Sequence, residues 1–250
     1  MPQYSLLPNP PVDNRDWLRG RLLSRSVFSA SNQRLEKEVN TYDYYLEDTN
    51  VKGYKVEFFL ERLDGGASSY FYNGFKYKTG YLHLKESTKT VYNEAPLTNV
   101  EVNNKYIYSK VHLQPLAMFQ NKSNGDSTAT FYTYPKDFMG GNTSITNLIA
   151  NNILISPIER VTAVKKQNSY FVKEGELNIY RTTGNGLLER KDILETEVPI
   201  SLASFKFSNR ALGVLPTGGA STSYGTDTRY KPAYSFLQYD VSGNPLEIPK

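Results

Sequence analysis

The sequence predicts a mainly β protein: an extended antiparallel β-meander, a curved sheet of hairpins, carrying one short helix. Three observations predict it. Apolar and polar residues alternate over most of the chain, while helical spacing is rare. Turn-forming clusters recur between the alternating runs, as in "SASNQ", Asp64-Gly65-Gly66, "SNGDS" and Ser242-Gly243-Asn244. The 250 residues include 20 Tyr and 12 Phe against one Trp and three Met, a choice that suits half-buried pleated surfaces with a wet outer side. The turn signals correspond to about twelve to sixteen strands.

Residues 1–20, with prolines at 2, 8, 10 and 11, read as an extended leader. They show neither the basic start nor the apolar stretch of a secretory signal. Residues 21–204 form the hairpin region. A strand from about Arg21 to Phe28 turns at "SASNQ" into a second from about Arg34 to Tyr45. "KGYKVEFFLERL" then pairs with "ASSYFYNGFKYKTG" across Asp64-Gly65-Gly66, and "GYLHLKESTKTVYN" reads as the strand after that hairpin. "VEVNNKYIYSKVHLQPLAMFQ" and "TATFYTYPKDF" continue the meander, which resumes at "IERVTAVKKQ".

One segment breaks the period of two. Ile145, Leu148, Ile149 and Ile153 share one face of a helix, predicted from Ser144 to Asn152. Asn142, Thr143 or Ser144 can cap its start, and Pro157 prevents its continuation. Its aliphatic face predicts a cover for part of the sheet. Residues 205–233, rich in Gly, Ser, Thr and Pro, read as a long loop with little buried apolar surface. Residues 234–250 read as a final hairpin whose return strand, begun at Leu246, is cut short.

Chemistry is sparse. There is no cysteine, which excludes disulfides and thiolate metal sites. The net charge of +4 comes from interspersed signs, so no nucleic-acid partner is expected. No apolar run reaches the ~18 residues of a membrane span. The only histidines, His83 and His112, sit at alternating positions and read as strand residues on a polar face. The pairs Glu57/Glu61 and Glu195/Glu197 each share a strand face and read as solvated. No phosphate loop, calcium loop or HExxH motif occurs, so neither a cofactor nor a metal is expected, and the chain is read as not an enzyme.

Aromatic residues carry the remaining signal. Tyr42/Tyr44, Tyr106/Tyr108 and Tyr132/Tyr134 each place two rings on one side of a strand, the unit of an aromatic ladder. Tyr70, Tyr72, Phe75 and Tyr77 form the densest cluster. It fits a core or ladder, and alternatively an exposed face that binds a glycan or protein partner.

The end of the chain adds a motif. In "YDVSGNPLEI", Gly243 and Asn244 tolerate positive φ, Asp240 can accept turn amides, and Tyr239 can pack across a neighbouring strand. Tyr239, Asp240, Gly243 and Asn244 resemble the repeat core of the bacterial RHS/YD-repeat family. Trp17 to Tyr44 and Tyr134 to Val161 are similar to segments preceding such repeats. The resemblance implies a strip of hairpins spiralling into a hollow shell around a cargo, often a toxin. It also implies secreted or cell-surface placement as part of a larger protein. This chain holds one YD unit and lacks the self-cleaving core and toxin domain that such proteins carry. It is therefore expected to be a non-catalytic structural segment, or a small stand-alone relative. A segment would meet the rest of a longer polypeptide, or a neighbouring chain, through edge strands.

Overall fold

The computed structural model describes residues 16–59, 69–93, 99–138, 142–208 and 225–246. Strands β1 (Ser24–Phe28), β2 (Arg34–Phe59), β3 (Ser69–Val91), β4 (Val100–Tyr108), β5 (Pro115–Lys122) and β6 (Ser127–Thr133) precede helix α1 (Thr143–Ala150). After it come β7 (Glu159–Lys166), β8 (Ser169–Tyr180), β9 (Leu188–Leu194), β10 (Ile200–Ser201) and β11 (Tyr230–Ser235). The sheet is a meander: β1 to β9 follow in sequence order, β11 lies beside β9, and the short β10 pairs with β8. The described pairings are antiparallel. The fold is thus mainly β: among the described residues, a large antiparallel sheet with one α-helix and no closed barrel.

Eleven strands are described where the turn signals correspond to more. The difference lies in β2 and β3, which run for 26 and 23 residues. Each absorbs what reads as two strands, because Gly53, Gly74 and Gly80 lie inside strands and do not end them. Aromatic rings occupy the space that a Cβ would need at these glycines. Phe75 lies over Gly53, and Tyr54 over Gly74, whose Cβ would meet the Tyr54 ring at 3.3 Å. The Trp17 indole lies where a Cβ of Gly80 would be only 2.6 Å away. Gly53-Tyr54 and Gly74-Phe75 are thus a reciprocal pair, each ring covering the other strand's glycine. This offsets the missing side-chain packing that weakens glycine in a strand.

The chain forms two compact units, Met1–Leu23 with Thr41–Leu84, and Ser24–Asn40 with Lys85–Lys250. The second holds the main core. Where a second layer lies on top of its sheet, small cross-strand partners surround one large ring: Ala117 faces Phe131, which faces Val161, and Ala129 faces Ala163, which faces Val172. All six are buried. Helix α1 contributes Ile145 and Leu148 to this core, and Phe205, Phe207 and Tyr230 complete it. The opposite face keeps Glu174, Glu176 and Lys191, with Lys191 paired to Glu176 at 3.3 Å.

Helix α1 starts at its cap. The Asn142 Oδ1 accepts the Ile145 N–H at 3.2 Å and the Ser144 hydroxyl at 2.6 Å. At the other end, Asn147 donates to the Gly184 carbonyl at 3.1 Å, tying the helix to the β8–β9 connection. Asn142→Ala is expected to lower stability by about 1 kcal/mol. A urea midpoint read with an unchanged m-value checks it, and no change would mean that packing alone sets the helix start.

The segment read as a loop at 205–233 departs from that expectation where it is described. Phe205 and Phe207 are fully buried, and Tyr230 begins β11 and is also buried. Buried Glu159 on β7 accepts the Ser208 N–H at 2.7 Å and the Tyr230 hydroxyl at 2.9 Å, holding both ends of the segment to the sheet. Asp227 and Arg229 form a two-point ion pair at 2.7 and 2.6 Å. Burial pushes the Asp227 carboxyl up, but Arg229 and the Lys206 N–H outweigh it and leave its pKa lowered.

Candidate functional site

The turn at the end of the described chain is built around one carboxylate. Asp240 Oδ1 accepts the N–H groups of Ser242 and Asn244, both at 2.8 Å, and Oδ2 accepts the Asn244 side-chain amide at 2.9 Å. The backbone closes the loop through Asp240 N–H to Asn244 carbonyl at 2.9 Å, with Gly243 at a φ of 83°. A β-bridge joins Tyr239 to Pro245. The turn is fastened to the sheet: the Tyr239 hydroxyl donates to the Leu188 carbonyl on β9, and the Arg181 guanidinium lies 5.0 Å from the Tyr239 ring centroid. Arg181 also donates to the Phe236 and Leu237 carbonyls at 3.1 and 2.7 Å. Residues 247–250, expected to hold the cut-short return strand, lie outside the described residues.

Hydrogen bonds from the Asn244 side chain first, then from turn amides, hold the Asp240 carboxyl below the usual aspartate range. The sign follows from linkage. The unfolded chain takes up the proton first as pH falls, so the turn's stabilisation is complete above the unfolded pKa and is lost as pH falls through the folded one. An NMR titration of the Asp240 carboxyl should show a midpoint below about 3.9. The Asn244 amide should shift with the same midpoint and stop doing so in Asp240→Asn. A midpoint at or above the ordinary value would mean the turn is not held this way.

The aromatic candidates divide. On β3, Tyr70 and Tyr72 are 72% and 75% exposed, while Phe75 is half-buried over Gly53. Tyr77 lies in β3, but its side chain is outside the described residues. The Tyr54 ring, 64% exposed, lies over Gly74, so Tyr54 and Val56 of β2 share a face with Tyr70 and Tyr72. Tyr54 was not among the sequence candidates; its glycine partner across the ribbon was the missing signal. The paired tyrosines elsewhere lie ring to ring, Tyr106 tilted against Tyr108 at 6.3 Å and Tyr132 stacked with Tyr134 at 6.4 Å between centroids.

Catalytic arrangements can be judged from geometry. His112 is not on a strand face, as its alternation suggests. It sits in the turn after β4, where Leu113 adopts a φ of 62°, and its side chain is 2% exposed. Its Nε2 lies 3.1 Å from Asp137 Oδ1, and its Nδ1 accepts the Gln114 N–H at 3.3 Å. The proton is therefore on Nε2. Ser109, also buried, completes a set with the residue types of a serine hydrolase, but not its geometry. The Ser109 Oγ accepts the Val111 and His112 N–H groups at 3.1 and 3.4 Å, and the imidazole nitrogen that would take its proton is already occupied. His83 packs edge-on to Tyr81 at 4.9 Å, and burial, partly offset by Asp43, lowers its pKa. Glu195 and Glu197 are exposed, while the Glu57 and Glu61 side chains lie outside the described residues. Among the described residues, no group of three or more His, Cys, Asp or Glu could hold a metal, and no helix is long and apolar enough to cross a membrane. In comparisons with protein-family models, curated proteins and solved structures, the chain matches none.

Proposed function

We propose that this chain is a non-catalytic β-scaffold, a structural segment of an RHS/YD-repeat-like surface or secreted protein that encloses or presents another polypeptide. The Tyr239–Pro245 turn carries this reading. Its aspartate gathers the turn amides, and its tyrosine and Arg181 fasten it to the sheet, so each motif residue has a structural task. The meander order supports it, because each strand from β2 to β9 rests on its predecessor and a sheet of this kind extends by adding hairpins. The test is fractionation of source cells with an antibody to this chain. The scaffold reading expects the antigen at the cell surface or outside, within a polypeptide much longer than 250 residues. A cytosolic species of this chain's own length would overturn it.

A second reading has one specific observation behind it: Tyr54, Val56, Tyr70 and Tyr72 expose a shared face in the first unit. Flat rings of this kind stack on sugars or on a partner's apolar residues. Glycan-array binding that disappears in the Tyr54→Ala/Tyr70→Ala/Tyr72→Ala chain, with the fold intact, would favour a binding module. Array binding that survives the substitutions, or none at all, would leave this face without a glycan role.

A further inference from the structure

At one end of the second unit's sheet, the β7–β8 hairpin and the segment between β9 and β10 help enclose an open cleft of about 630 Å³. Lys122, Lys165, Lys166 and Lys173 line it, against the carboxylates of Asp126 and Glu197. Val164 and Val198 supply apolar wall.

Backbone geometry builds this arrangement. Lys165 and Lys166 end β7 at a two-residue turn whose members, Gln167 and Asn168, have φ values of 46° and 67°. Lys173 is the extra residue of a β-bulge: Val172 faces Ala163 and Glu174 faces Thr162, leaving Lys173 between them without a partner in the ladder. Bulges re-aim side chains in this way. Lys173 pairs with exposed Glu174 at 3.1 Å, whereas Lys122, Lys165 and Lys166 form no ion pair among the described residues. Asp126 accepts the Asn124 amide at 2.7 Å and keeps its charge, so four lysines face two carboxylates. Val198 stands 69% exposed on the wall.

The lining also narrows the ligand. It has no aromatic ring, so neither bases nor sugar faces can stack there. It has no arginine fork for two-point recognition of phosphate or sulfate. Lysine point charges beside aliphatic wall suit carboxylates interleaved with aliphatic side chains. We infer that the cleft docks an extended acidic peptide whose carboxylates meet Lys122, Lys165, Lys166 and Lys173 and whose aliphatic side chains rest on Val164 and Val198. This inference does not depend on the scaffold reading.

The test uses the full chain and a labelled hexapeptide alternating Glu and Val. A Ser/Val hexapeptide, a heparin hexasaccharide and an oligo-dT strand serve as the other arms. The Glu/Val peptide should bind saturably and more tightly than the other three. Affinity should fall at least about tenfold in Lys165→Glu/Lys173→Glu, and about as much in high salt. Lys165→Gln/Lys166→Gln gives the same reading with less perturbation should the first variant fail to fold. Val198→Ser should weaken binding severalfold while leaving the salt dependence unchanged. Failure of the Glu/Val peptide to saturate, equal binding by the lysine variants, or tighter binding of heparin or oligo-dT would each overturn the proposal.

Discussion

Phe131→Ala is expected to cost about 3–5 kcal/mol, the range for removing a fully buried aromatic ring from a packed core. Phe131 is 1% exposed and sits at the junction of the sheet with the layer above it. Its ring meets Phe119 edge-on at 6.0 Å and Phe207 edge-on at 5.7 Å. Phe207 in turn meets Phe205 at 5.0 Å, and Phe205 meets Tyr230 at 6.2 Å. Four rings thus link β6 to β11 across the core. Their neighbours on the sheet are Ala117, Ala129, Ala163 and Gly175 with Val161, residues too small to fill the space that Phe131 would vacate. The cavity would therefore persist, and cavity cost adds to the lost transfer energy. Urea unfolding of the variant should show a lower midpoint with the same m-value. A cycle with Phe207→Ala should reveal a coupling of about 0.5–1.5 kcal/mol, as expected for an edge-to-face pair. A loss below about 1 kcal/mol would mean that the layer collapses onto the vacancy and that the ring chain is not the core's keystone.

How much of this was legible in the sequence depends on whether the signal was local. Helix α1 was legible because both its cap, Asn142, and its apolar face, Ile145 and Leu148, lie within a few residues of each other. The meander was legible for the same reason, since each hairpin carries its own turn. The lengths of β2 and β3 were not, because a glycine in a strand reads as a break unless its covering ring is known, and Phe75 lies 22 positions from Gly53. The burial of Phe205, Phe207 and Tyr230 was hidden by the Gly-, Ser- and Thr-rich composition between them. Their partners on β6 to β9 are remote in sequence. The carboxylate-centred Asp240 turn needs only residues 239–245, a purely local arrangement, whereas its attachment to Arg181 and Leu188 is long-range. His112 was misplaced because alternation in "KVHLQP" imitates a strand, and nothing local announces the positive φ of Leu113. A usable hint did exist in "YPKD", where Pro135 starts a short helical turn and Asp137 sits at the position that reaches back to its entrance.

That aspartate gives the second large expected effect. Asp137→Ala should destabilise the chain by about 2–6 kcal/mol, since each of two buried donors left without an acceptor costs about 1–3 kcal/mol. The Asp137 side chain is 3% exposed and serves two donors, the Tyr134 N–H at 2.8 Å through Oδ2 and His112 Nε2 at 3.1 Å through Oδ1. Alanine would leave both donors buried without an acceptor. Asparagine keeps one oxygen but turns an amide N–H toward the second donor, so Asp137→Asn should fall between, at about 1–3 kcal/mol. The imidazole carries the link onward to the Gln114 N–H, joining the turn after β4 to the helical turn after β6, and it also packs on the Tyr134 ring at 5.0 Å. Removing either partner should therefore cost most of what removing both costs. The His112→Ala/Asp137→Ala chain should be less destabilised than the two single losses added, with a coupling of about 0.5–3 kcal/mol. His112→Asn, which can still accept from Gln114, and His112→Gln, which can still donate to Asp137, should each recover part of the loss. A general base would behave otherwise: its replacement would abolish turnover of some substrate while leaving the urea midpoint in place. Additive losses with no partial recovery would mean that the two side chains stabilise the chain separately and that the imidazole does not couple the two turns.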